Sequence, residues 1–211
     1  MKDLLDNHFV PAKGTPVGSV SCDATTKSGD FSLVDNRACS QCKPFFHSSC
    51  NNEVLKLHAD NPVEIIEHEK LILDLKAEKG GVCDYLISSD NKVLFIDLTC
   101  GMSQYLESHL VDGEAKEGKK AKSRKQTEMS INRLYEEQHL ASHLDSFPNK
   151  VAMLGYRNID DELFANCSSK ITSAEDASLS MMKHLQSRRL ATPLSHGFNF
   201  VMIRYPDVYN I

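Results

Sequence analysis

The sequence predicts an α/β fold of the α+β kind, with a mixed β-sheet flanked by helices. Three observations predict it. From residue 61 onward, helical stretches alternate with short apolar runs in the order helix, strand, strand, helix, strand, helix, strand. The stretch "CDYLISSDNKVLFIDLTCG", residues 83–101, reads as two apolar strands around a polar turn at Asp90 and Asn91, residues that tolerate hairpin-turn angles. Between "VLFIDLT" and "VAMLGY" lies a helical stretch of about 15–20 residues, long enough for a crossover to a parallel strand.

Residues 1–60 read as an irregular N-terminal segment. Its first 35 residues are polar, with scattered Gly, Ser, Thr and Pro, and suggest loops with one short strand, "FSLV". Residues 61–211 read as the α/β core. The stretch "NPVEIIEHEKLILDLKAEKGG" predicts the first helix, with Asn61 as N-cap, Pro62 at the first helical position and Gly80-Gly81 as the stop. The hairpin follows, then an irregular stretch that becomes basic towards residue 125. The second helix is "SRKQTEMSINRLYEEQHLASHL", with Met129, Ile131, Leu134, Leu140 and Leu144 at mostly helical spacings. "NKVAMLGYR" and "FNFVMIRYP" predict strands, and "SAEDASLSMMKHLQSRRL" predicts a third helix between them.

The net charge of −5 argues against a chain that binds nucleic acid over its whole surface, so any such contact must come from a local basic patch. No window approaches the roughly 20 apolar residues of a membrane span. The N-terminal "MKDLLDNHFVPAKG" lacks the apolar core of a signal peptide. The expected location is cytoplasmic or nuclear, not secreted and not membrane-bound. There, seven cysteines are expected as thiols or metal ligands rather than disulfides.

Two aspartates stand out. Strand side chains alternate between faces, so Val93, Phe95, Asp97 and Thr99 share one face and Leu94, Ile96 and Leu98 the other. Pairing about the turn at 90–91 sets Asp84 opposite Asp97, with Cβ atoms about 5 Å apart. Two like charges so placed repel, and each is costly to bury. A divalent cation between them removes the repulsion and supplies a Lewis acid. Carboxylate oxygens suit Mg²⁺ or Mn²⁺. The alternative is one exposed acid at a sheet edge or in a turn.

This order, a helix and then two strands each bearing an acid and then a helix, resembles the PD-(D/E)xK nuclease superfamily. Within it, the chain is most similar to the cap-snatching endonucleases of segmented negative-strand RNA viruses. Asp97-Leu98-Thr99 matches their acid-x-threonine form of the motif, and Asp84 in "CDYL" matches the Pro-Asp motif with Cys83 in the proline's place. The resemblance covers residues 61–155 and implies a nuclease-like core, a cation site and a catalytic lysine from the following helix. It implies a third carboxylate from the first helix, Glu67 or Glu64, with Glu69 a further choice. His58 and His68 are candidate extra ligands. For the lysine it points to Lys122, then Lys125, and "KEGKKAKSRKQ" adds Lys119, Lys120 and Arg124 as a phosphate-binding patch.

"CSQCKPFFHSSC" carries Cys39, Cys42, His47 and Cys50, with Cys22 as a spare upstream, ligand types that suit a structural Zn²⁺. Unliganded buried thiols are the other reading. The sequence thus points to a Mg²⁺- or Mn²⁺-dependent endonuclease, RNA favoured over DNA as the resemblance implies. The alternative is a nuclease-like fold without chemistry, serving as a nucleic-acid-binding or protein-interaction module.

Overall fold

The computed structural model describes residues 1–35, 53–76, 81–101, 105–111, 114–158 and 192–211. Ten strands are present among them. They are β1 (Ala24–Val34), β2 (Glu53–Glu67), β3 (Tyr85–Ser88), β4 (Lys92–Gly101), β5 (His109–Val111), β6 (Glu114–Lys116), β7 (Asn149–Asn158), β8 (Thr192–Pro193), β9 (Asn199–Arg204) and β10 (Val208–Asn210). The helical segments are α1, a continuous run of Lys2–Leu4, Leu5–Phe9 and Val10–Ala12, then α2 (His68–Asp74), α3 (Lys119–Tyr135) and α4 (Gln138–Asp145).

Eight strands form one mixed sheet in the order β1-β2-β3-β4-β7-β9-β8, with β10 added beside β2. The first four make an antiparallel meander. α3 and α4 then carry the chain over to β7, which runs parallel to β4, and β9 runs parallel to β7. The mixed α/β class is therefore as the sequence predicts.

The alternation read in "VLFIDLT" sorts side chains onto the two faces of the sheet. Val93 and Phe95 join one apolar cluster with Leu86, Ile66, Ala152 and Leu154, and the helices cover it with Leu5, Phe9, Leu71, Ile72, Ile131, Leu134, Leu140 and Leu144. Phe95 lies at its centre, edge-on to Phe198 at 5.3 Å and to His68 at 6.2 Å. Such edge-to-face pairs add about 0.5–1.5 kcal/mol beyond the area they bury. Leu94, Ile96 and Leu98 join the second cluster with Ile87, Met153, Leu55 and Leu57. That face is covered by the sheet itself, because the long β1–β2 hairpin curls back over it. A Cβ on Gly155 of β7 would lie 2.8 Å from Leu98 Cδ2 and 3.0 Å from Leu55 Cβ, so glycine permits this close approach.

Three predicted elements are corrected. Residues 61–67 are strand, not helix: β2 runs from Glu53 through Glu67, and the helix is only His68–Asp74. The N-P start and the charged "EHEK" imitate a helix start. Val63, Ile65 and Ile66 are nevertheless buried in a strand paired with β1 along one edge and β3 along the other. Residues 1–35 are not mainly loop. α1 buries Leu5, Phe9 and Val10 against the core, and "FSLV" is only the end of an eleven-residue strand. The second helix starts earlier, at Lys119, and breaks at Glu136–Glu137 into α3 and α4, with Met129 exposed. β2 also passes through residues 60 and 61, where the sequence suggests that the core begins. The third predicted helix, residues 173–190, lies outside the described residues. Among the described residues no helix is long and apolar enough to cross a membrane.

Candidate functional site

The β3–β4 register pairs Tyr85 with Ile96 and Leu86 with Phe95, and its continuation by one step sets Asp84 opposite Asp97. Asp97 is 7% exposed within β4, and Asp84 is half-buried at the start of β3. The Leu98 backbone N–H donates to the Asp84 carboxylate at 2.6 Å. That carboxylate takes the place of a ladder acceptor just beyond the end of β3. Asp84 is thereby fixed against β4 within one residue of Asp97.

Cys83 is buried, and burial pushes its thiol well above the ordinary range, with the Asp97 and Asp84 charges adding to that rise. Its backbone N–H donates to Ser130 Oγ of α3 at 2.9 Å. One α3 turn earlier, Gln126 Nε2 donates to the Val82 carbonyl at 3.4 Å. At the helix start, Lys119 Nζ donates to the Cys100 carbonyl at 2.5 Å. α3 thus runs from the far end of β4 to the residues just before Asp84. Gly118 caps it closely, since a Cβ there would collide with the Glu107 carbonyl.

Beside Asp84 opens a cleft of about 280 Å³. Asp35, Glu67, Glu69, Asp74 and Asp84 line it with Val34, Leu73, Tyr85 and one cation, Lys70. Lys70 is paired with Asp23. The cleft is therefore strongly acidic, and two of the predicted ligands, Asp84 and Glu67, share its wall. Glu67 stands at the end of β2, where the chain turns into α2. Hard oxygen donors of this kind fit Mg²⁺ or Mn²⁺ better than softer ions.

The other predicted residues take varied places. Glu64 sits within β2 and is engaged by the N-terminus: the Met1 amine lies 3.0 Å from its carboxylate, and the Lys2 N–H donates to it at 3.1 Å. Lys122 is exposed on α3, between Lys119 and Gln126 on one helical stripe. Lys125 is exposed and paired with Glu117 at 2.5 Å. Lys120 pairs with Glu107 at 3.2 Å, and Arg124 donates to the Pro193 carbonyl at 3.0 Å. Lys119 thus reaches the end of β4 beyond Asp97, while Lys120, Arg124 and Lys125 are engaged by other partners along α3.

His58 lies far away on the β1–β2 hairpin, between Asp30 and Asp60, which raise its pKa. His68 is fully buried beneath the sheet, with Nδ1 3.4 Å from Cys83 Sγ. Burial lowers its pKa to about 4, so it is a neutral imidazole near neutrality. Cys39, Cys42, His47 and Cys50 lie outside the described residues. Cys22 is buried, and its thiol is pushed up to about 12 by burial and by Asp6.

Sequence reasoning missed Gln126 and Ser130. Both sit on the inner face of a helix predicted from its apolar residues alone, and both bond backbone atoms more than 40 residues away. Buried polar residues at helical spacing, Ser123, Thr127 and Ser130, were the available signal. No family model, curated protein or solved structure matches the chain.

Proposed function

We propose that the chain is a Mg²⁺- or Mn²⁺-dependent endonuclease acting on nucleic acid, RNA in preference to DNA. The observation that carries this reading is the opposition of Asp84 and Asp97 across β3–β4, with Asp84 anchored on the Leu98 amide. The antiparallel meander, the helix after it and the parallel β7 agree with the nuclease-like core that the resemblance implies.

Asp84, Asp97 and Glu67 would hold the cation, with Glu64 held apart by its bonds to α1. A divalent ion so bound would supply Lewis-acid stabilisation of phosphate and a more acidic water. The chain's own residues have three tasks. The carboxylates orient the ion through fixed strands. Lys122, with Lys119 one turn before it, offsets charge developing on the phosphate oxygens. The exposed Arg124 and Lys125, with the half-buried Lys120, attract the backbone of the substrate.

A second reading rests on Thr99, which stands where a lysine is usual in the superfamily. In this reading the scaffold binds nucleic acid or a protein and cuts nothing. One experiment separates the two: incubation of single-stranded RNA and DNA with Mn²⁺-loaded protein across a range of pH, beside Asp97→Ala. Cleavage by the wild type alone supports the nuclease. Binding of both polymers without cleavage at any pH supports the inactive scaffold.

A further inference from the structure

We propose that His8, Glu137 and His139 form a second cation site, for a borderline divalent ion of the zinc class. It is independent of the carboxylate site above. One ligand atom from each of the three side chains lies within 4.8 Å of the other two. Tetrahedral Zn²⁺, with bonds of about 2.0–2.2 Å, wants its donors roughly 3.3–3.6 Å apart.

The donors are already arranged. The two imidazole rings stack with centroids 4.1 Å apart and planes 29° from parallel. Glu137 is held in place by its second task. It is the N-cap of α4, and its carboxylate accepts the Leu140 N–H at 2.8 Å. The carboxylate that caps the helix is thus held at the α3–α4 corner beside the two imidazoles. Two nitrogens and one oxygen are the donor set of zinc and similar ions, whereas Mg²⁺ prefers oxygen alone. Three protein ligands leave a fourth position for water or an incoming group.

The placement gives the ion a task. His8 lies on the π-helical turn Leu5–Phe9 of α1, and such turns are frequent at functional sites. Glu137 and His139 lie at the corner between α3 and α4. An ion bound to all three fastens α1 to that corner. The Lys13–Glu136 ion pair, 2.7 Å, already crosses the same junction.

Calorimetric titration with zinc chloride tests this, comparing wild type with His8→Gln/His139→Gln. The wild type should take up one equivalent more than the double variant, or bind that equivalent about 100-fold more tightly. Cobalt substitution should give visible bands for this equivalent without thiolate charge-transfer absorption, which separates it from any cysteine site. Should far-UV circular dichroism show that the double variant is unfolded, His139→Gln alone decides, because His139 is exposed. Equal stoichiometry and affinity in wild type and variant, or no zinc uptake by the wild type, overturns the proposal.

Discussion

The Leu98 amide and the Asp84 carboxylate are joined across β3 and β4 by a 2.6 Å hydrogen bond, so a residue proposed for metal binding also completes the sheet. The two tasks separate by substitution. Asp84→Ala leaves a buried N–H unpaired and should cost about 1–3 kcal/mol in urea unfolding. Asp84→Asn keeps an acceptor and should recover most of that stability. Both should lose Mn²⁺ binding, measured by thermal shift. Retention of the Mn²⁺ shift in Asp84→Ala would remove Asp84 from the site.

Asp97→Ala and Lys122→Ala should fail differently. The first should abolish the Mn²⁺-dependent shift and cleavage together. The second should keep the shift and lower kcat roughly 10²-fold, the usual scale for loss of one transition-state charge partner. Equal loss of metal binding in both would contradict the role given to Lys122.

His68 gives a pH dependence of stability. Its pKa is about 4 in the fold against an ordinary 6.5. Between those values the unfolded chain binds the extra proton, so unfolding is favoured as pH falls from 6.5 to 4. The stability lost across that window is on the order of 3 kcal/mol, at about 1.4 kcal/mol per pH unit. His68→Leu, which keeps an apolar contact with Phe95, should lack this dependence, so the stability of wild type relative to the variant should fall as pH drops through the window. Parallel stability–pH curves from pH 4 to 7 would refute it.

Cys22, Cys83 and Cys100 are buried. Burial holds the Cys22 and Cys83 thiols well above their ordinary range. Alkylation at pH 8, mapped by mass spectrometry, should leave both unmodified in native protein and label them in denaturant. Rapid native labelling of Cys83 would mean that α3 opens away from β3.

Of these features, the β3–β4 register was legible in the sequence, because a tight turn and strict alternation allow only one pairing that keeps Val93 and Phe95 inward. The faces of α3 and α4 were legible for the same kind of reason, since Ile131, Leu134, Leu140 and Leu144 repeat at helical spacing. "NPVEIIEHEK" was not, because its local signals favour a helix while two neighbouring strands, one of them some 40 residues earlier, make it a strand. The zinc-class triad was hidden for a similar reason: His8 and Glu137 are brought together only by the packing of α1 on α4. The Asp84–Asp97 pair was read because both members lie within one hairpin.

Gly155→Ala should cost about 1–3 kcal/mol through overpacking. The added methyl would press on Leu98 and Leu55, where the β1–β2 hairpin crosses β7. The same change should leave far-UV circular dichroism intact. A neutral effect would show that the hairpin yields at that contact.

The pairing of β10 with Lys56–His58 of β2 has a consequence for synthesis on the ribosome. The two partners are about 150 residues apart in sequence, so β2 leaves the exit tunnel long before β10 exists. In that interval the β2 edge opposite β1 offers unpaired amides and carbonyls at residues 56–58, a template for a neighbouring nascent chain. The last few residues therefore act as a strand that seals an edge made early. Ile211 completes it by donating its N–H to the His58 carbonyl at 2.8 Å.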